Sequence, residues 1–134
     1  MSKGIVTHAK WIFVCLVLSW SGTFSWGLDF YVSPAGNDQW TGKLPQANDQ
    51  KTDGPLASLA SARDAIRKLK AESGLTEPVT VHIAEGLYFL TEPIVFTAED
   101  SGTDTCPIVY HSAANSKPVF SGGREITGFQ PGPD

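Results

Sequence analysis

The chain has 134 residues, of which 41% are hydrophobic, 18% charged and 10% aromatic, so it is one domain by length and too apolar for wholesale disorder. A formal net charge of −4 and a pI near 5.2 exclude the basic surface that nucleic-acid binding needs. Two cysteines cannot build a disulfide scaffold, and 13 glycines with 9 prolines favour turns and short strands over a helical bundle.

Lys3, His8 and Lys10 lead into an apolar run from Trp11 through Leu18, closed by Ser19-Trp20. A positive start followed by an apolar stretch of about ten residues is what a secretory signal requires. A membrane-spanning helix needs roughly 20 apolar residues, and Ser21, Gly22, Thr23 and Ser25 interrupt this one too early. Residues 1–27 are therefore expected to be a signal peptide, cleaved at Ser19/Ser21 or at Ser25/Gly27. The second site leaves a mature chain beginning near Leu28. The expected location is secreted or periplasmic; membrane anchoring by an uncleaved signal is the alternative, and no stable membrane span is expected. Cys15 has no small-residue box before it and is not read as a lipidation site. Loss of Lys3 and Lys10 from the 10 basic residues leaves eight against 14 acidic, a net charge of −6. Cys106 is then the one cysteine of the mature chain. Without a His-Asn or His-Asp partner at catalytic spacing, it reads as a small buried apolar residue, not a nucleophile.

Along residues 28–134, Asp29 to Ser33 reads as a short strand bounded by Pro34 and Gly36. Residues 34–55 carry turn chemistry throughout, from Gly36-Asn37-Asp38 to Asp53-Gly54-Pro55. A helix is expected over 58–73, with Ser58 as N-cap. Leu59, Ala62, Ile66 and Leu69 form one apolar stripe, and Gly74 supplies the stop. Arg63, Arg67, Lys68 and Lys70 fall mostly on other faces and are expected to form a solvated surface. From residue 79 the period changes to two. Val79, Val81 and Ile83 share a face; Gly86 and Tyr88, Ile94-Val95-Phe96, Ile108-Val109-Tyr110, Pro118 to Gly122 and Glu125 to Phe129 follow as further strands.

Short strands beginning about 8 to 15 residues apart fit a sandwich, a barrel or a parallel solenoid. The links vary in length and lack the Asn-Gly or Asp-Gly turns of antiparallel hairpins, which favours the solenoid. An amphipathic helix ahead of the first coil would close an end that otherwise leaves apolar side chains and strand edges in water.

Phe30-Tyr31-Val32-Ser33-Pro34-Ala35-Gly36-Asn37-Asp38, then Asp53-Gly54-Pro55 leading into Leu59 to Arg67, resembles the opening of bacterial right-handed parallel β-helix proteins of the pectate-lyase-like superfamily. Val81 to Tyr88 looks like their first coil, and Glu99 to Thr103, Pro107 to Tyr110 and Ser121-Gly122-Gly123 like the turns that follow. The resemblance covers residues 30–129. It implies an all-β, right-handed parallel β-helix with an N-terminal cap helix and first coils, over residues 28–134. It also implies a secreted protein acting on carbohydrate, as a polysaccharide lyase, a glycoside hydrolase, or a binding or surface protein. In that family this region is cap and first coils, and the carbohydrate cleft lies on later ones. Since a solenoid needs about three repeats to bury its core, a chain ending at Pro131-Gly132-Pro133-Asp134 is expected to be an incomplete solenoid, a fragment.

No residue is nominated as catalytic, cofactor-binding or metal-ligating, and no cofactor is expected. Glu99, Asp100 and Asp104 form an acidic turn of the kind a glycosidase pair or calcium site would use. With no second acidic cluster to complete a site, they read as a solvated turn bonding its own amides. Asp49 to Gly54 has the outline of a calcium loop, but Lys51 stands where an oxygen ligand belongs and Ala60 where the bidentate Glu belongs. Trp40 in a polar loop could stack on a sugar, or pack its loop onto the body. His82 and His111 face away from their apolar neighbours without carboxylates at ligand spacing.

The expected function is that of an exported N-terminal fragment of a parallel β-helix protein, itself without activity, whose complete form is a lyase or hydrolase acting on polysaccharide. The alternative is a non-catalytic carbohydrate-binding or surface-adhesion β-helix. A third is a small secreted β domain that self-associates through its open solenoid end.

Overall fold

The computed structural model describes residues 27–124, 126–128, 130 and 132. Residues 1–26 of the expected signal peptide, with its Cys15, lie outside the described residues, as do Glu125 and Phe129 of the last expected strand.

Among the described residues the fold has five short strands and one long helix. They are β1 (Leu28–Val32), α1 (Leu59–Ser73), β2 (Val79–Ile83), β3 (Gly86–Phe89), β4 (Ile108–Ser112) and β5 (Pro118–Ser121), with a 3-10 turn at Ala98–Asp100. All pairing between the strands is parallel. One sheet has the order β1-β2-β4 and the other pairs β3 with β5. In the first sheet Phe30 lies opposite Val81, and Val81 opposite Tyr110; in the second Tyr88 lies opposite Phe120. β2 with β3, and β4 with β5, are thus two strand–corner–strand units stacked in register. The corners continue the ladder: Ala84 N–H donates to Val32 O and Ala113 N–H to Ile83 O, both at 2.8 Å.

Side-chain alternation puts Phe30, Val32, Val79, Val81 and Ile83 on the inner face, where they bury against Leu56, Ala62, Ile66 and Tyr88. Val79 and Val81 are fully buried because β2 is the central strand, covered by a neighbour on each side. The outer edge of β1 is closed by the loop that follows it. Tyr31 N–H donates to Gly42 O, Leu56 N–H to Tyr31 O and Ser33 N–H to Leu56 O, each at 2.8 Å. An otherwise open edge is thereby paired.

The helix forms as its sequence dictates. Ser58 is extended and its Oγ accepts from Ser61 N–H at 3.1 Å, while Gly74 terminates at φ 73° with its N–H on Lys70 O. Ala62 and Ile66 bury, and Leu59, Ala65 and Leu69 pack at their margin.

Three expectations are corrected. Ile94-Val95-Phe96 is not a strand: among the described residues nothing pairs with it, Val95 and Phe96 are half exposed, and Val95 O accepts from Arg63 Nη1 at 2.9 Å. A β-prone composition does not make a strand where the helix, not another strand, is the neighbour. The basic face of α1 is likewise not simply solvated. Residues 95–101 run along it, so Arg63, Arg67 and Lys70 bond that segment, and Lys68 alone of the four stays 75% exposed in its side chain. Residues 126–128, the described part of the last expected strand, carry none, and Ile126 is exposed.

Candidate functional site

The acidic turn is a structural clamp. Arg67 Nε and Nη2 donate to Asp100 Oδ1 and Oδ2, each at 2.7 Å, and Thr97 N–H donates to Oδ2 at 2.6 Å. The bidentate Arg67 contact holds the Asp100 carboxyl well below the usual carboxylate range. Lys70 Nζ adds bonds to Glu99 O and Ser101 O. A general acid needs its pKa raised; Asp100 is moved the other way and its side chain is only 6% exposed. The expected amide bonding of the turn is present, but the main partner is an arginine 33 residues earlier. Asp104 stays exposed and apart from this clamp.

Asp53 is spent in the same manner. Its Oδ1 accepts from Thr41 N–H at 2.8 Å and from Gly54 N–H at 2.9 Å, and Thr41 Oγ1 donates to Oδ2 at 2.8 Å. These bonds, Thr41's foremost, lower its pKa. The stretch from Asp49 to Gly54 is thus a turn pinned to residue 41. Among the described residues no three His, Cys, Asp or Glu side chains converge as a metal ion would require. Cys106 is buried in the turn after Gly102.

Register assembles what spacing did not show on the outer face of the first sheet. Tyr31, His82 and His111 lie opposite one another. Tyr31 and His82 stack at 5.0 Å and His82 meets His111 edge-on at 4.6 Å, close to the spacing of the strands themselves. His82 does have a carboxylate: its Nε2 is 2.8 Å from Asp29 Oδ1, which corrects the expectation of unaccompanied histidines. That pairing needed the β1–β2 register to be seen. Tyr31 and His82 cover each other's faces, which takes those faces away from a sugar ring.

The larger concavity lies between the 38–43 loop and α1, a cleft of about 650 Å³. Every part of the loop is tied down. Trp40 N–H donates to Asn37 O at 3.0 Å, Gly42 N–H to Gly54 O at 3.1 Å, and Asp38 Oδ1 accepts from the amides of Ala57 and Ser58 at 2.8 and 2.9 Å. Trp40 lies against Gly54, where a Cβ would come within 2.7 Å of its Cε3 and Cζ3. The packing expectation for Trp40 therefore holds, yet the ring is only half-buried and also walls the cleft. Phe30 and Leu56 form the floor, and Lys43 Nζ sits 3.5 Å from the Phe30 ring centre. Burial there lowers the Lys43 pKa. Asp64, Lys68 and Glu72 line the opposite wall. Their spacing of four residues places them on one helix face, a signal that was readable in the sequence.

No helix among the described residues is long and apolar enough to cross a membrane. No protein-family model and no curated protein matches the chain. Among solved structures, a glycoside hydrolase is similar at 31% identity and a TM-score of 0.63, over 78% of this chain and 16% of that one. The chain therefore spans about a sixth of that enzyme's length, and the likeness supports a carbohydrate-active fold.

Proposed function

We propose that this chain is the N-terminal cap and first coils of an exported right-handed parallel β-helix protein of the pectate-lyase-like superfamily that acts on polysaccharide, in its complete form by hydrolysis. The observation that carries this reading is the likeness to a glycoside hydrolase over 78% of the chain. Two features agree with it. Strand–corner–strand units are stacked in parallel register, and the outer edge of β1 is closed by its own loop with α1 packed beside it, as the first coil of a stack requires. The two best-anchored carboxylates, Asp53 and Asp100, have lowered pKa values and serve structure, so neither is the raised-pKa acid that a hydrolase needs.

The test takes the complete product of the gene and a panel of neutral and acidic polysaccharides. New reducing ends without an unsaturated product indicate a hydrolase, and ultraviolet-absorbing unsaturated ends indicate a lyase. Binding without cleavage of any of them would replace this reading with the adhesion alternative.

A further inference from the structure

We infer that the cleft between the 38–43 loop and α1 is a binding site for a neutral oligosaccharide, separate from any catalytic centre on later coils. The inference rests on the carbohydrate reading above and adds a location and a ligand class to it. Sugar recognition needs an aromatic or apolar surface for the C–H face of the ring and charged or amide groups around it for the hydroxyls. The cleft has both. Trp40 supplies the accessible ring, with Phe30 and Leu56 buried beneath the cleft at 3% and 2% exposed, while Gln39, Lys43, Asp64, Lys68 and Glu72 stand around it. Its volume of about 650 Å³ is within the range of small-molecule sites.

The wall is preorganised. Trp40 is backed by Gly54 and its loop is held by Asp53, Asp38 and backbone bonds at both ends, so little ordering remains to oppose binding. The facing groups come from a helix, a rigid element. Charge selects the ligand. Asp38, Asp64 and Glu72 oppose Lys43 and Lys68, and Lys68 already lies 3.9 Å from Glu72. With Asp64 also paired to Arg63 at 2.8 Å, the lining has no excess of positive charge to hold a uronic-acid chain, whereas sugar hydroxyls can donate to the carboxylates and accept from the lysines. In the Tyr31–His82–His111 row, by contrast, Tyr31 and His82 stack on each other and spend those ring faces within the row.

Isothermal titration of the 134-residue chain with xylo-, cello- and manno-oligosaccharides, and with oligogalacturonate, tests the inference. At least one neutral series is expected to bind saturably and oligogalacturonate not to bind. Trp40→Ala should weaken binding by about ten-fold or more, as loss of a stacking platform does. Because Trp40 also packs on Gly54, Lys68→Ala and Glu72→Ala provide the second arm. Both side chains are largely exposed, at 75% and 65%, so the melting curve should stay unchanged while affinity falls several-fold. Absence of binding by every neutral series, preference for the acidic one, or full affinity in all three variants overturns the inference. Its failure is distinct from that of the broader reading: cleavage of a polysaccharide by the complete protein with no cleft binding removes only the cleft, and cleft binding without cleavage removes only the hydrolase.

Discussion

Replacement of Ile66 by alanine tests whether α1 is an integral cap. Ile66 is 2% exposed and packs in the cluster that holds Phe30, Val32 and Val81. The substitution removes its methyl and methylene groups beyond Cβ at about 0.8 kcal/mol each when buried, to which a cavity contribution is added. The higher helix propensity of alanine returns a few tenths of a kcal/mol. A net destabilisation of about 3 kcal/mol follows, inside the range of roughly 2–5 observed for such core truncations. For a domain of about 100 residues that corresponds to a fall in Tm of roughly 12–24 °C. Thermal and urea denaturation of wild type and Ile66→Ala, followed by circular dichroism, measures it. Lys68→Ala on the exposed face is the control and should stay within about 0.5 kcal/mol. A loss below about 1 kcal/mol for Ile66→Ala, with the control unchanged, would show that the helix is not docked on the sheet as described.

Other expectations follow from single groups. Ser58→Ala removes the acceptor of Ser61 N–H and should cost about 1 kcal/mol, with Ser58→Gly costing only a few tenths; the same denaturation curves read both. At Gly36 an added Cβ would lie 2.5 Å from Pro55 O and also strike Leu56 O, backbone atoms that cannot yield. Gly36→Ala should therefore lower soluble yield and Tm sharply, whereas Gly122→Ala, with nothing within 4 Å, should not. The Asp100 pKa is depressed in the folded chain chiefly by Arg67. Its contribution to stability is thus complete above the unfolded carboxylate value of about 3.9 and is lost as pH falls below it. Melting from neutral to strongly acidic pH should show Asp100→Asn less stable than wild type at pH 7, the gap closing on acidification; a gap that widened would contradict the clamp. If the signal is cleaved at the later site, mass spectrometry of the exported protein should find an N-terminus near Leu28.

What local chemistry can specify was legible. Ser58, the Leu59–Ala62–Ile66–Leu69 stripe and Gly74 define α1 because capping and the helical repeat act within a few residues. The alternation of Val79, Val81 and Ile83 defines β2 and its buried face for the same reason. The turn-rich composition of residues 34–55 correctly places a loop there. The candidate site was less legible: Trp40 could be named and the spacing of Asp64, Lys68 and Glu72 puts them on one helix face, but that this face opposes Trp40 could not be read. Its polar partners on α1 come together with it only when the helix packs beside β1. Three further features lie in long-range pairing. His82 meets Asp29 across 53 residues and Arg67 meets Asp100 across 33. Val95 and Phe96 have the composition of a strand yet are not one, because a strand exists only where another offers its edge. By itself the sequence determined elements whose stabilising groups lie within a turn or two along the chain. Tertiary structure alone decided which strands pair in which register, which charges are clamped and which walls face each other across the cleft, because those contacts join residues that are neighbours only after the chain has folded.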